Sequence, residues 1–203
     1  MKLLLTGGTG FFGKALLRHW LAVCEAGQPV PDVTLLSRDP RRFAMRHPEF
    51  AALPWLRLHG GDILAPASLP AGEAFTHVLH AAADSTLGPQ LTPLQRHDQI
   101  VAGTRNLLDY AVARSIPRFL LTSSGGVYGR QPPDMAQIPE TYCGMADPLR
   151  TENAYSVAKR SAEHLCALYQ AQYGVQTVMA RCFSFVGQDL PLNVHFAIGN
   201  FLR

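Results

Sequence analysis

The sequence predicts an α/β fold, a doubly wound parallel sheet with helices on both faces. Three observations carry that expectation. Short apolar runs alternate with longer amphipathic ones from the first residues onward, the pattern of strands joined by crossover helices. The first such unit encloses a glycine turn, Thr6-Gly7-Gly8-Thr9-Gly10-Phe11-Phe12-Gly13, between the apolar Leu3-Leu4-Leu5 and the amphipathic stretch Lys14 to Leu21. The bulk numbers suit one soluble domain, or one domain and the start of another: 203 residues, 47% hydrophobic and 16% charged, with no apolar run of membrane length.

Each element follows in order. Lys2–Thr6 is strand one, and Phe11–Ala26 is a helix closed by Gly27 and Pro29. Val33–Leu36 is strand two, followed by a short basic segment from Arg38 to Arg46. Leu56–His59 is strand three and runs into Gly61-Asp62-Ile63; Thr76–His80 is strand four and runs into Ala81-Ala82-Ala83. A long helix covers Leu94–Arg114, Arg118–Thr122 is strand five, Ala154–Tyr173 is a helix ended by Gly174, and Gln176–Arg181 is strand six. In such a sheet the ligand crevice lies at the carboxyl ends of the strands.

Charge and cysteine usage exclude several classes. A net charge of +3 is too small to argue for nucleic acid, and no nucleic-acid-reading motif is present. The opening Met1-Lys2-Leu3-Leu4-Leu5 is cut off by Thr-Gly-Gly too soon for an export signal, so neither secretion nor a membrane is expected. Cys24, Cys143, Cys166 and Cys182 are scattered without a CxxC pair, which favours reduced thiols in a cytoplasmic protein over disulfides or a metal site.

A buried strand, a glycine turn and a helix N-terminus together form an anion site, since free N–H groups and the helix dipole face the same point. Gly7 makes the tight turn, Gly10 admits a pyrophosphate, and Gly13 lets helix pack on strand. At the end of strand two an acid would hold a ribose 2′-hydroxyl, whereas an arginine suits a 2′-phosphate. Here Ser37-Arg38 stands at that point with Arg41 and Arg42 beyond it, so the residues favour NADP over NAD. Arginine can also stack on adenine without reading a phosphate, and both dinucleotides stay open. Asp62 is placed to accept from an adenine amino group with Ile63 against the ring, or else to serve as a turn or N-cap aspartate. Ala81, Ala82 and Ala83 let a cofactor lie close over strand four, while His80 reads as a core histidine.

Tyr155 and Lys159 lie four residues apart on one helix face, where a cation lowers the phenol pKa and makes a general acid/base. The strand-five end carries Ser123-Ser124, and Ser124 can hydrogen-bond the oxygen of a carbinol or carbonyl while Tyr155 moves its proton.

Taken together, these motifs resemble the extended short-chain dehydrogenase/reductases, specifically the NAD-dependent epimerase/dehydratase family that acts on nucleotide sugars. The resemblance runs over TGGTGFFG at 6–13, Gly61-Asp62-Ile63, HAAA at 80–83, Gly103-Thr104-Arg105-Asn106-Leu107-Leu108, Ser123–Gly129 and Tyr155-Ser156-Val157-Ala158-Lys159. It implies a Rossmann-like fold with Ser124, Tyr155 and Lys159 as the catalytic group. It further implies Phe11, Phe12, Thr122, Tyr155, Lys159, Cys182 and Ser184 among the cofactor contacts, Lys159 at the nicotinamide ribose, and Ser85, Gly125, Gly126 and Asn193 against the sugar nucleotide. The stretches Ala180–Gly187 and Leu190–Phe201 resemble the lipopolysaccharide and O-antigen branch, which implies cell-surface polysaccharide biosynthesis.

Three departures shape the functional expectation. Family 4,6-dehydratases carry Asp-Glu directly after the catalytic Ser/Thr, and this chain has Gly125-Gly126, so dehydration is disfavoured. Two family asparagines are replaced, by Ile100 and by Ser184. The resemblance also implies longer chains with a second domain that binds the sugar nucleotide. We therefore expect 1–187 to be the dinucleotide-binding domain and 188–203 the start of a substrate domain, the chain being a fragment. The expected activity is a nucleotide-sugar epimerase; the alternatives are an NADPH-dependent keto-sugar reductase and a non-catalytic dinucleotide sensor. A homodimer is expected through a four-helix bundle of the two long helices, with Ala162, Leu165, Leu168 and Tyr169 in its apolar stripe.

Overall fold

A computed structural model describes residues 1–83 and 91–190. Its strands are β1 (Lys2–Thr6), β2 (Asp32–Ser37), β3 (Leu56–Gly60), β4 (His77–His80), β5 (Arg118–Ser124) and β6 (Gln176–Cys182). They form one sheet in the order β3-β2-β1-β4-β5-β6, with every pairing parallel. The α-helices are α1 (Phe11–Glu25), α2 (Pro40–Arg46), α3 (Pro93–Ala113) and α4 (Ala154–Tyr173). The order reverses between β1 and β4, which opens a crevice over their carboxyl ends.

Alternation along β1 explains why both faces are covered. Leu3 and Leu5 point to one side, with Leu17 of α1 and Val33 and Leu35 of β2, while Leu4 points to the other, with Ile100 and Leu107 of α3. A strand buried on both faces reads as the continuous apolar run seen in the sequence. Helix ends follow from local chemistry. Thr92 and Gln95 form a reciprocal capping box at the start of α3, and Gly174, at φ 73°, closes α4 in the left-handed region.

Two expectations are corrected. The basic segment after strand two is the helix α2, because Asp39 caps it through the Arg42 N–H (2.9 Å) and Pro40 occupies its first turn. The stripe read as a dimer face is largely spent within the monomer. Ala162 and Tyr169 are buried and Leu165 packs on the same core, so only Leu168 of the four is exposed. Among the described residues no helix is long and apolar enough to cross a membrane.

Candidate active site

A cleft of about 1390 Å³ follows the carboxyl ends of β1, β2, β4 and β5, a volume ample for a dinucleotide. Its floor is the glycine turn. Gly7 has φ +74°, and a Cβ there would collide with the Ala81–Ala82 backbone, 2.6 Å from the Ala82 nitrogen. Gly10 caps α1 without any side-chain hydrogen bond, and no acid lies in the first turn, so the helix N-terminus is left to an external anion. Phe11 and Phe12 line this wall, whereas Gly13 does not; its place is against the backbone of Gly8.

One end of the cleft is basic. Arg38 lines it as expected, joined by Arg42, Arg46 and His47, which α2 turns toward the same space. The acid nearest the end of β2, Asp39, is engaged as the α2 cap. Asp62 and Ile63 also line the cleft. Asp62 doubles as a turn aspartate, accepting from the Leu64 N–H (2.9 Å), and Ile63 is buried against Gly103 of α3. Ala81, Ala82 and Ala83 form the middle of the wall.

The other end gathers Thr122, Ser124, Tyr155, Lys159, Cys182 and Ser184. Ser124 Oγ accepts the Gly126 N–H (3.1 Å), and the Ser124 hydroxyl favours the ionised form of the Tyr155 phenol. Lys159 is buried, donates to the Thr122 carbonyl (2.7 Å) and stands 5.8 Å from the Tyr155 ring centre. The expected depression of the phenol pKa is not found. Burial raises it, against the opposing pull of the Ser124 hydroxyl and the Arg96 charge. Lys159 is itself lowered to about 8 by burial, against the pull of Cys182, Cys166 and Glu163. His80 is a core residue, as read: fully enclosed, bonded to Thr6 Oγ1 (2.8 Å), and held neutral by a pKa lowered to about 3 through burial and then through Lys159.

Because the folded pKa of Lys159 lies below its ordinary 10.5, the unfolded chain binds more protons between those values, and stability rises with pH across that window. At neutral pH the cation is present in both states, so the folded state carries the whole penalty, about 3 kcal/mol. Lys159→Met is therefore expected to stabilise the fold by about 1–2 kcal/mol at neutral pH, after the cost of orphaning the Thr122 carbonyl. That gain is expected to vanish by about pH 10 in thermal melts.

Gly125 and Gly126, expected beside the substrate, lie behind Ser124 and do not line the cleft. A Cβ on Gly125 would meet the Phe183 ring at 2.6 Å, and one on Gly126 would meet Ser156 Oγ at 2.5 Å. Ser85 and Asn193 fall outside the described residues. The cleft also includes Lys14, Arg96, Gln99, Phe185 and Leu190, which the sequence reading missed. Phe185 packs edge-on against Phe12 (4.7 Å), and Asp189 pairs with Lys14 (3.2 Å) and Arg18, which holds the segment after β6 across the start of α1. Among the described residues no group of His, Cys, Asp and Glu could hold a metal ion.

Comparison with known proteins agrees with this geometry. The model of the NAD dependent epimerase/dehydratase family matches residues 3–198. Over all of its length the chain is 29% identical to UDP-glucuronic acid decarboxylase 5 of Arabidopsis thaliana, 56% of which it covers. A double-mutant dTDP-glucose 4,6-dehydratase from Streptomyces venezuelae, solved with NAD bound, is 26% identical with a TM-score of 0.79, over 100% of this chain and 61% of its own. A UDP-galactose 4-epimerase is likewise 26% identical with a TM-score of 0.75, over 100% and 61%. The chain thus spans a little over half the length of these relatives.

Proposed function

The chain belongs to the NAD dependent epimerase/dehydratase family, and from that premise we propose that the protein is a nucleotide-sugar epimerase. It oxidises one ring carbinol to a ketone, lets the sugar turn over, and reduces the ketone from the other face. The observation that carries this reading is the Ser124–Tyr155–Lys159 group backed by Gly125-Gly126, where no side chain can serve as an extra acid or base. Elimination of water needs such a pair, and here Phe183 and Ser156 occupy the space it would take.

The residues fit a dinucleotide: the glycine turn and the uncapped α1 would hold the pyrophosphate, with Ala81–Ala83 beneath it. When bound, NAD supplies hydride acceptance and return. The chain's own groups do the rest. Ser124 holds the carbinol oxygen, Tyr155 takes its proton and later gives it back, and Lys159 fixes the nicotinamide ribose while keeping a positive charge beside the phenol. In this reading 1–187 is the dinucleotide-binding domain, 188–203 opens the substrate domain, and the setting is cytoplasmic cell-surface polysaccharide synthesis. The protein is taken as a homodimer through the outward faces of α3 and α4.

Incubating the full-length protein with UDP-, GDP-, dTDP- and CDP-sugars, without added reductant, is expected to interconvert one epimer pair with no net change in cofactor redox state. Release of CO2 from UDP-glucuronic acid would instead assign the activity for which the decarboxylase relative is named. Turnover seen only with NADPH would assign a keto-sugar reductase. That second reading has its own support in the basic end of the cleft, where Arg38 and Arg42 suit a 2′-phosphate and Asp39 is engaged as the α2 cap. Arg38→Ala combined with Arg42→Ala is expected to weaken NADPH binding about 10- to 100-fold while sparing NADH, as measured by fluorescence titration. Equal affinities before and after would leave the arginines no role in reading the phosphate.

A further inference from the structure

Tyr155, Lys159 and Glu163 recur every fourth residue along α4 and so share one face of the helix. The first two are in the cleft; the third is not, and the proposed chemistry gives it no task. Its contacts are nonetheless specific. Glu163 is buried, and one carboxylate oxygen accepts the Ser123 hydroxyl at 2.5 Å. The same carboxylate receives Arg181 in a forked pair, Nε at 3.0 Å and Nη2 at 2.9 Å. Ser123 and Arg181 are themselves register partners across β5 and β6. One turn earlier, Lys159 is tied to Thr122, the residue before Ser123. Two successive turns of α4 are therefore pinned to two successive residues of β5, immediately before Ser124.

We propose that Glu163 is a positioning residue for the Ser124–Tyr155–Lys159 group: by holding Ser123 and Arg181 with one carboxylate, it fixes the rotation and height of α4 against the carboxyl end of β5. This rests on the reading of those three residues as catalytic. Tyr155 lies two helical turns from Glu163, so a small rotation at the anchor moves the phenol away from Ser124. Displacements of about 1 Å in a reacting group can cost roughly 100-fold in rate. A forked carboxylate–guanidinium pair resists such rotation better than a single bond, because both its distance and its plane are fixed. Arg181 is braced in turn: its guanidinium lies 4.6 Å over the Tyr128 ring and donates to the Glu140 carbonyl at 3.0 Å. The anchor thus reaches the turn that follows Ser124 as well as the strand that precedes it.

The test compares Glu163→Ala, Glu163→Gln and Ser123→Ala in the full-length protein, with NAD affinity and thermal melting measured alongside kinetics on the nucleotide sugar it turns over. Glu163→Ala is expected to lower kcat about 10- to 100-fold while KM and NAD affinity hold. Glu163→Gln keeps one oxygen that can accept from Ser123 and from Arg181 Nε but sets an amide donor against Arg181 Nη2, so it is expected to recover only part of that loss. Ser123→Ala leaves the charges paired and is expected to lower kcat less than Glu163→Ala does; it carries the test with Glu163→Gln if the alanine variant fails to fold. Should no sugar be turned over, the epimerase reading fails by itself. The anchor is then read from the ring-carbon NMR resonance of Tyr155 in the NAD-bound protein, assigned with Tyr155→Phe. The proposal expects that resonance to move in Ser123→Ala and in Glu163→Ala and to return part of the way in Glu163→Gln. An unmoved resonance, or a kcat that tracks melting temperature alone across the series, would overturn it.

Discussion

Replacing Tyr155 with phenylalanine is expected to lower turnover about 10²- to 10⁴-fold while leaving dinucleotide affinity unchanged. The asymmetry comes from where the side chain sits. Its ring is partly buried against the core formed by β4, β5, α3 and α4, and phenylalanine keeps that packing. What disappears is the hydroxyl, with its capacity to carry a proton between itself and the oxygen that Ser124 faces. The phenol is half-buried, and Lys159 beside it is 2% exposed and tied to the Thr122 carbonyl, so water is a poor substitute for the lost group. Steady-state kinetics on the full-length protein, paired with NAD titration of the same preparations, separates the outcomes. Loss of both turnover and binding would place Tyr155 in the structure rather than the chemistry. Retention of biological output without the hydroxyl would favour the dinucleotide sensor.

The residues whose roles depend on sequence spacing were legible; those that depend on tertiary approach were not. A glycine turn between an apolar strand and an amphipathic helix predicts its own geometry, and all six strands stand where their apolar runs placed them, with only their ends shifted. The four-residue interval from Tyr155 to Lys159 likewise fixes a shared helix face. By contrast, nothing local says that α2 turns Arg42 and Arg46 into the cleft, although Asp39-Pro40 was a readable start signal for that helix. Arg96 and Gln99 enter the site only because α3 packs across β4. The phenol pKa went the other way for a related reason: Lys159 could be read from spacing, but the burial that dominates the phenol is a property of the assembled core. Ala162 and Tyr169 carry the same lesson, since an apolar stripe does not say whether a sheet or a second chain will cover it.

Gly13→Ala is expected to destabilise the fold by about 3 kcal/mol or more and to abolish dinucleotide binding, although Gly13 does not line the cleft. The reason lies in what the new methyl would meet. At many core positions an added methyl meets the end of a flexible side chain that can turn aside. At Gly13 it meets the backbone of Gly8 instead, at less than van der Waals contact, and the helix would have to lift off the turn. Lifting it separates the α1 N-terminus from the loop with which it forms the anion site. The sequence assigned Gly13 to helix–strand packing; the structure moves that contact onto the glycine turn itself, so packing and phosphate binding become one constraint. Gly60 supplies the control. A methyl there meets only Pro40 side-chain carbons at 3.7 Å and beyond, so Gly60→Ala is expected to change stability by less than about 0.5 kcal/mol. Melting curves and NAD titration of the two variants, side by side, check both halves: equal melting temperatures would show that the turn can yield. A destabilised Gly13→Ala that still bound NAD with full affinity would separate the packing of this helix from its hold on the pyrophosphate.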